Sequence, residues 1–272
     1  GGTSTSGSGE NENQNREVYV CSWGEYIDES LIEEFEVATG ITVHYQTVPS
    51  NEELYSILSL GGANYDVIVP SDYMISQLIE EDMLQPLDYE QIPNFSKIAD
   101  RFKNLSYDPE NLYTVPYAWG TLGIIYNSTM VDEPITSWSA MFDTQYADQV
   151  LMINNSRDAL GIALMYLGYS VNTDSEEELQ EAFELLAQAK RDGVYQAWVM
   201  DEVFDKMESG EAAIATYYAG DYLTMLDNNP DLRYVVPEEG SNWFVDAMCI
   251  LKDAENVEEA HEWINFMAST EA

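Results

Sequence analysis

The sequence is poor in basic residues. Its 272 residues include ten Lys and Arg but fifty Asp and Glu, which gives a formal net charge of −40 at pH 7. A surface of this charge repels nucleic acid and anionic membranes and attracts cations. Many of the carboxylates fall in runs such as residues 174–178, which are typical of solvated helix faces. We therefore expect no nucleic-acid partner and only a small bias towards a cationic ligand.

Catalytic and metal-binding motifs are also missing. The sequence contains no G-x-S-x-G, P-loop, H-E-x-x-H or G-x-G-x-x-G motif and no EF-hand loop. Its two histidines, His44 and His261, are both expected at the surface. Its two cysteines, Cys21 and Cys249, lie in apolar runs outside any C-x-x-C motif, which indicates buried thiols. We predict no metal, no cofactor and no enzymatic activity.

Long hydrophobic runs are absent, because no segment reaches the ~18 apolar residues of a membrane span. Residues 1–16 contain no hydrophobic residue at all, which predicts a disordered tether. Such a tether is typical of an exported lipoprotein attached through an N-terminal lipid anchor, and a cytosolic protein with a polar tail is the alternative. At 272 residues the chain is too long for one average domain of ~150 residues and comfortable for two.

The most informative stretch spans residues 18–26. Residues 18–21 form an apolar run typical of a strand buried on both faces, and Gly24 ends it. Trp23, Glu25 and Tyr26 then lie at the carboxyl end of this strand, where open α/β sheets bind ligands. A carboxylate between two aromatics suits a positive charge on an apolar stem. The alternative is an aromatic lid over the core with Glu25 in solvent.

Strands and helices alternate along the first part of the chain. Hydrophobic periodicity predicts strands at 18–21, 41–48 and 65–69, and helices at 28–39, 50–60 and 74–81. This βαβαβα order implies a parallel sheet, so residues 23–26 and 71–73 should lie at the same edge. After a loop-rich segment at 88–112, the pattern predicts strands at 121–126, 150–153, 212–218, 233–237 and 247–251, and helices at 159–166, 176–191, 204–208 and 257–267.

Five motifs occur in a recognisable order. They are W-x-E-Y at 23–26, S-N-E-x-x-Y at 50–55, Y-D-x-x-V-P-S-x-Y at 65–73, V-P-Y-x-W-G at 115–120 and V-P-x-E-G-S-x-W-F-x-D at 236–246. Together they resemble the spermidine/putrescine-binding proteins of bacterial polyamine ABC transporters, and the resemblance covers residues 17–272. It implies an α/β, two-lobed periplasmic-binding-protein fold of type II, each lobe a mainly parallel sheet flanked by helices, with the ligand cleft between the lobes.

The resemblance also implies an organisation and a role. Lobe 1 would comprise residues 17–117 plus 247–272 and lobe 2 residues 118–246, with Trp119 and Gly120 serving the hinge and its packing. The protein would capture a polyamine outside the cytoplasm, in the periplasm or as a cell-surface lipoprotein. It would act as a monomer and deliver the ligand to the membrane permease subunits of an ABC transporter. The chain stops before the family's C-terminal segment, which would leave lobe 2 without its closing helices.

Eleven positions correspond to the family's ligand contacts. Carried over from the family position by position, they are Trp23, Gly24, Glu25, Tyr26, Ser71, Tyr73, Asn155, Asp158, Tyr218, Phe244 and Asp246. The chemistry agrees with a polyamine, because each ammonium group costs several kcal/mol to desolvate unless a carboxylate meets it. Aromatic faces suit both the methylenes and the cations, the latter by ~0.5–2 kcal/mol.

Structural interpretations of the same residues remain open. Asn155 and Asp158 have the spacing of a helix cap, Asp246 before a strand suits a turn, and Tyr73 and Tyr218 suit the edge of a core.

The sequence departs from the family at several contacts. Asn155 replaces an acidic residue and Gly24 a hydroxyl, which suggests a shorter or less charged ligand, or a different anchoring of one amine. Tyr218 and Phe244 replace tryptophans, and Trp243 is a possible substitute. Two rival functions are a same-fold binding protein for a sugar or another organic cation, and a glycoside hydrolase using Glu25 with a second carboxylate.

Overall fold

The structure is a computed structural model that describes residues 15–24 and 26–269. The described strands are β1 Glu17–Trp23, β2 Thr42–Val48, β3 Val67–Ile68, β4 Leu84–Gln85, β5 Val115–Asn127, β6 Val150–Ile153, β7 Tyr195–Val199, β8 Ile214–Tyr218, β9 Leu232–Val235 and β10 Trp243–Leu251. The described helices are α1 Ser30–Thr39, α2 Asn51–Leu60, α3 Asp72–Glu80, α4 Ser156–Leu167, α5 Glu176–Arg191, α6 Glu202–Glu208, α7 Ala219–Asn228 and α8 Val257–Ala268.

The chain divides into two compact units. Unit 1 comprises Gly1–Tyr117 and Asp246–Ala272, and unit 2 comprises Ala118–Val245. The chain passes from one unit to the other within β5 and returns within β10. Asp246 was predicted to be the last residue of lobe 2, but it belongs to unit 1 because its carboxylate is hydrogen-bonded to Tyr26 and Ser71 there.

The sheet of unit 1 is built around β1. This strand pairs in parallel with β2 along its length and with β3 through Val20 and Cys21. The predicted parallel βαβαβ arrangement is therefore confirmed, and β1 and β3 end at the same edge of the sheet. Phe35 of α1 and Trp263 of α8 pack edge to face below it, with ring centroids 5.1 Å apart.

The sheet of unit 2 is organised around β8 and β6. β8 is antiparallel to β5 and parallel to β6, while β6 is parallel to β7 and β9 is antiparallel to β5. Its core is formed by fully buried side chains such as Ile124, Met152, Ile162 and Met225. The predicted site residues Asn155 and Asp158 lie at the start of α4, and Tyr218 is the last residue of β8.

Both sheets also contain antiparallel strands, beside mainly parallel pairing in unit 1 and beside the parallel strands β6, β7 and β8 in unit 2. In unit 1, β10 is antiparallel to β3 and β4, and in unit 2, β5 is antiparallel to β8 and β9. The physical reason is the connectivity: β5 and β10 carry the chain between the units and do not belong to βαβ crossovers, so nothing constrains them to run parallel to their neighbours.

Three of the described strands and helices were missed by the sequence analysis, namely the two-residue strand β4, strand β7 and helix α7. Strand β7 is the last strand in the sheet order of unit 2, and its half-exposed side chains weaken the hydrophobic signal of a strand. Helix α7 begins directly after β8 without a side-chain cap, and its first turn contains Gly220 and Asp221, which favour a loop. Burial of Met225 in the core of unit 2 compensates for these weak local signals.

The surface position predicted for the two histidines is correct for His44 and wrong for His261. His44 is half-exposed and lies 3.0 Å from a carboxylate oxygen of Glu17. His261 was predicted at the surface, but it is only 2% exposed. Its Nδ1 donates to the Val257 carbonyl over 2.7 Å, and its Nε2 accepts from the Asp88 backbone N–H over 3.0 Å. His261 is therefore a hydrogen-bonded core residue between α8 and the segment that packs on it.

Two further predictions concern the cysteines and the N-terminus. Cys21 and Cys249 are buried free thiols, as expected. Of the predicted tether, residues 1–14 lie outside the described residues. Arg16, which was included in the tether, accepts a hydrogen bond from the Thr42 N–H over 3.0 Å and pairs with Glu259 at 3.2 Å. The folded part of unit 1 therefore extends to at least Arg16.

Candidate functional site

Unit 1 contains a carboxylate that is held from two sides. The Tyr26 hydroxyl donates to Asp246 Oδ2 over 3.0 Å, and the Ser71 hydroxyl donates to Asp246 Oδ1 over 2.6 Å. Asn51 in turn hydrogen-bonds Ser71. We call Tyr26, Asn51, Ser71 and Asp246 the Asp246 cluster. Three of these four residues were predicted site residues, and the structure brings them into direct contact.

The backbone fixes the position of this cluster. Ser71 is separated from β3 by Val69 and Pro70 and directly precedes α3, while Asp246 lies within β10. The two residues form an antiparallel bridge, and the Ala247 N–H donates to the Pro70 carbonyl over 3.1 Å. Asp246 is therefore a strand residue, and the alternative interpretation as a turn residue was wrong. Its side chain is 4% exposed, so its charge depends on the hydroxyl donors around it.

Burial and charge together keep Tyr26 protonated. Burial, followed by the neighbouring Asp246 carboxylate, raises the pKa of the Tyr26 hydroxyl well above its usual value of 10. The hydroxyl is therefore a hydrogen-bond donor at every physiological pH. The Tyr26 ring also packs against Tyr117, with ring centroids 5.3 Å apart. Asp246 thus has an aromatic surface beside one of its two donors.

Trp23 and Gly24 lie at the carboxyl end of β1, as predicted. The Trp23 indole N–H donates to the Val69 carbonyl at the end of β3 over 2.8 Å, which fixes the ring across the sheet edge. The Tyr45 hydroxyl donates to the Trp23 carbonyl over 3.3 Å. Gly24 is half-buried in the turn that follows. Glu25, the predicted anionic residue of this turn, lies outside the described residues.

Tyr73 lies at the start of α3, two residues after Ser71. Its hydroxyl donates to a carboxylate oxygen of Glu52 in α2 over 2.8 Å. Neither Glu52 nor Asn51 was proposed as a site residue. Both lie in the S-N-E-x-x-Y motif, whose S-x-x-E spacing is also that of a helix capping box. The serine cap of such a box is present, because the Ser50 hydroxyl accepts from the Glu53 N–H over 3.1 Å.

Unit 2 contains a second carboxylate with aromatic neighbours. The Tyr218 hydroxyl donates to Asp158 Oδ2 over 2.8 Å, and the Tyr218 and Phe244 rings meet edge to face with centroids 4.9 Å apart. Asn155 caps α4 by accepting from the Asp158 N–H over 3.1 Å. We call Asn155, Asp158, Tyr218 and Phe244 the Asp158 cluster. All four were predicted site residues.

Two alternatives for this cluster can now be compared. The capping interpretation is correct for Asn155, since its side-chain oxygen is used by the helix start. The Asp158 side chain, by contrast, is half-buried and accepts a hydrogen bond from the Tyr218 hydroxyl. A helix cap does not require this contact. The negative charge also lies in the first turn of α4, where the helix dipole favours it.

A glycine makes room for Phe244. A Cβ atom on Gly120 would lie 2.5 Å from Phe244 Cζ, closer than van der Waals contact allows. Within unit 2, Gly120 of β5 therefore lets the Phe244 ring approach the strand. Trp243, the suggested substitute, is 51% exposed and does not take the place of Phe244 beside Tyr218.

The described part of the chain, 15–24 and 26–269, offers no group of three or more His, Cys, Asp or Glu side chains that could hold a metal ion. Among those same residues, no helix combines the length and apolar character that crossing a membrane requires. The chemistry of the two clusters is that of carboxylates presented beside aromatic rings. Such an arrangement binds cations that also carry apolar surface.

Comparison with known sequences places the chain in a family. A family model described as bacterial extracellular solute-binding protein matches residues 30–272. The spermidine/putrescine-binding periplasmic protein of Salmonella typhimurium is 33% identical over 253 residues, which cover 92% of this chain and 72% of that protein. The putrescine-binding periplasmic protein SpuD of Pseudomonas aeruginosa is 32% identical over 273 residues, covering 93% of this chain and 74% of that protein.

Solved structures give the same result. A putative spermidine/putrescine ABC transporter protein from Listeria monocytogenes is 42% identical, with a TM-score of 0.90 over 94% of this chain and 79% of that chain. The spermidine/putrescine ABC transporter substrate-binding protein PotD from Streptococcus pneumoniae is 39% identical, with a TM-score of 0.75 over 94% of this chain and 78% of that chain. The predicted type II periplasmic-binding-protein fold and extracytoplasmic location are thereby confirmed. The chain belongs to the bacterial extracellular solute-binding proteins.

Proposed function

We propose that the protein binds a polyamine, spermidine or putrescine, outside the cytoplasm and delivers it to an ABC importer. One observation carries the proposal: each unit holds a carboxylate with a tyrosine hydroxyl and places an aromatic ring beside it. The relatives named for spermidine and putrescine support the choice of ligand.

The ligand chemistry explains why both parts of each cluster are needed. An ammonium group leaves water at a cost of several kcal/mol, which a carboxylate offsets only when its remaining lone pairs are satisfied. Tyr26 and Ser71 each donate a hydrogen bond to a lone pair of the Asp246 carboxylate, and Tyr218 donates one to the Asp158 carboxylate. The aromatic rings of Tyr117 and Phe244 then offer apolar surface to the methylenes and attract the cation by ~0.5–2 kcal/mol.

The net charge favours capture of such a ligand. A protein with fifty acidic and ten basic residues attracts a polycation over a distance comparable to the Debye length, ~10 Å at 0.1 M salt. This attraction raises the association rate, and the two clusters supply the specific contacts. We therefore expect the association rate to fall steeply with ionic strength, while an uncharged ligand would show no such dependence.

Calorimetric titration with both amines tests the ligand. We expect micromolar or tighter binding of spermidine, putrescine or both. The control ligand is 1,4-butanediol, which has the same carbon chain as putrescine without the charges and should not bind. The absence of heat with either amine at millimolar concentration would rule out the polyamine proposal, and binding of a sugar instead would favour the same-fold alternative.

Substitutions test the participation of each cluster. Asp246→Asn should lower polyamine affinity at least about 30-fold, since removing one partner of a buried ion pair costs about 2–5 kcal/mol. Asp158→Asn should cause a smaller loss, because Asp158 is only half-buried. Asp253→Asn, in the exposed turn after β10, is the matched charge control and should leave affinity unchanged. If either Asp246 or Asp158 behaves like the control, its cluster is structural.

The remaining features of this role are part of the same proposal. The protein acts as a monomer, is attached to the membrane only through an N-terminal lipid anchor, and passes its ligand to the permease subunits without chemical change. Recovery of unmodified amine after prolonged incubation with the protein tests the last point. Appearance of any product would support the enzymatic alternative.

A further inference from the structure

Asn51 is a buried amide whose two ends both contact Ser71. It is the first residue of α2 and is 5% exposed. Its Oδ1 accepts from the Ser71 backbone N–H over 2.9 Å, and its Nδ2 donates to Ser71 Oγ over 3.0 Å. Ser50, and not Asn51, supplies the side-chain cap of α2. The Asn51 side chain is therefore devoted to Ser71, which is 20 residues away in sequence.

These contacts fix the donor and the acceptor of each hydrogen bond in the series that runs from Asn51 through Ser71 to Asp246. The Ser71 backbone N–H is a donor, so it must meet the amide oxygen of Asn51, and the amide nitrogen then faces Ser71 Oγ. Because that nitrogen can only donate, Ser71 Oγ accepts from it. The Ser71 hydroxyl hydrogen is thereby left to donate to Asp246 Oδ1 over 2.6 Å. The order Asn51 to Ser71 to Asp246 has one consistent polarity.

We propose that Asn51 is a positioning residue for cation binding, which holds the Ser71 hydroxyl as a permanent donor to Asp246 and so keeps Asp246 oriented and ionised for the ligand. The cationic ligand itself rests on the proposed function above. Tyr26 secures the other carboxylate oxygen in the same way. The two hydroxyls therefore hold both oxygens of the carboxylate in place.

The proposal changes the role of Ser71. As a predicted ligand contact, its hydroxyl would accept from an ammonium group of the polyamine. In the structure that hydroxyl already accepts from Asn51 and donates to Asp246, so its main contribution is to support the carboxylate. Neutral-to-charged hydrogen bonds of this kind are shorter and stronger than neutral pairs, which agrees with the 2.6 Å distance.

A double-mutant cycle separates this role from simple support of the fold. We expect Asn51→Ala and Ser71→Ala each to lower polyamine affinity about tenfold, equivalent to about 1.4 kcal/mol. The double variant should lose no more than Ser71→Ala alone, because Asn51 acts through the Ser71 hydroxyl. Additive losses would contradict the proposal, since Asn51 would then act by another route.

Asn51→Asp is the sharper variant. It keeps an acceptor for the Ser71 N–H, and a carboxylate in the first turn of α2 is compatible with the helix dipole. It also offers the Ser71 hydroxyl a second carboxylate, which competes with Asp246 for the single hydrogen. We expect an affinity loss at least as large as that of Asn51→Ala with an unchanged melting temperature. Wild-type affinity in Asn51→Asp would overturn the proposal.

Asn94→Ala serves as the structural control. Asn94 also tethers two segments of unit 1 with its amide, donating to the Asn265 carbonyl over 2.8 Å, but it contacts no predicted site residue. It should lower the melting temperature and leave polyamine affinity unchanged. The contrast with Asn51 shows whether loss of any amide that joins two segments of unit 1 weakens binding.

A measurement without ligand tests the positioning role of Asn51 separately from the proposed polyamine binding. Carbon-13 NMR can follow the titration of the Asp246 carboxyl group, assigned through its disappearance in Asp246→Asn. Tyr26, the titratable side chain hydrogen-bonded to the same carboxylate, stays protonated across this range. We expect the Asp246 midpoint to rise by at least about half a pH unit in Asn51→Ala and further in Asn51→Asp. Unchanged midpoints in both variants would refute the positioning role, even if the wild-type protein bound no polyamine.

Discussion

Tyr218 donates its hydroxyl hydrogen to Asp158 Oδ2 across 2.8 Å, and the same ring meets Phe244 edge to face. One side chain thus supports the carboxylate and forms part of the aromatic surface beside it. Tyr218→Phe removes the first contribution and keeps the second. We expect polyamine affinity to fall about three- to tenfold, because a hydrogen bond to a charged group is worth about 1.5 kcal/mol or somewhat less when half-exposed.

The matched control for this variant is Tyr222→Phe. The Tyr222 hydroxyl also has one partner in unit 2, but that partner is the Leu232 backbone carbonyl, 3.2 Å away. Calorimetry on both variants should show weaker binding in Tyr218→Phe and wild-type binding in Tyr222→Phe. Equal affinities would mean that the Asp158 carboxylate does not need its tyrosine donor.

Gly120→Ala should disturb the aromatic surface of unit 2. The new Cβ would lie 2.5 Å from Phe244 Cζ, so the ring must move away from its position against Tyr218. Because the ring tip can shift more easily than the backbone, we expect a small loss of stability and a several-fold loss of affinity. Gly220→Ala is the control: its Cβ meets no atom within 4 Å, and alanine within α7 should raise stability by up to about 1 kcal/mol.

Asp66 connects three segments of unit 1. Its carboxylate is 2% exposed and accepts from the Tyr19 N–H at 2.8 Å, from the Glu255 and Asn256 N–H groups at 3.1 Å, and from Asn256 Nδ2 at 3.0 Å. Asp66→Asn places an amide N–H₂ among these donors. We expect urea denaturation to show a loss of about 3 kcal/mol, because several charge-assisted bonds weaken together.

The exposed Asp253 provides the comparison for that measurement. Asp253→Asn removes the same charge from the same unit without breaking a buried network. It should change the free energy of unfolding by less than about 0.5 kcal/mol. A similar loss in both variants would indicate that net charge, and not the Asp66 hydrogen bonds, controls the stability of unit 1.

The parallel core of unit 1 was predictable because its signals are local. Apolar runs, helix caps and the βαβαβ order placed the ends of β1 and β3 at one edge, and the motif resemblance identified Trp23, Ser71 and Asp246 there. His261 could also have been predicted as buried. It lies four residues after Val257 and three before Ile264, on the apolar face of α8.

The contribution of Asn51 could not have been predicted, because its contacts are tertiary. The Ser50–Glu53 capping box gave a sufficient local explanation for the S-N-E motif, and nothing in the sequence links Asn51 to Ser71. Helix α7 was missed for the same reason: Gly220 and Asp221 favour a loop locally, while burial of Met225 selects the helix. Packing overrides local propensity at both places.

Alkaline pH should destabilise the protein in part through the buried thiol of Cys21. Burial raises the pKa of the Cys21 thiol to about 11 from 9.0, because the core of unit 1 disfavours the thiolate. The unfolded chain therefore releases this proton at lower pH than the folded chain. The contribution of the protonated Cys21 thiol to the free energy of unfolding is complete below about pH 9. It is lost as the pH rises towards about 11, with a total on the order of 2 kcal/mol.

Denaturation curves of wild type and Cys21→Ala across this pH range test the effect. The variant is expected to be less stable at pH 8, because it loses packing, but its stability should decline less between pH 9 and pH 11. The slope, and not the absolute stability, is the readout, so the packing defect does not obscure it. In the native protein the same thiol should resist alkylation at pH 8 and react after unfolding, since only the thiolate is nucleophilic. Parallel slopes in the two proteins, or fast alkylation of native Cys21, would show that the thiol is not held in its neutral form.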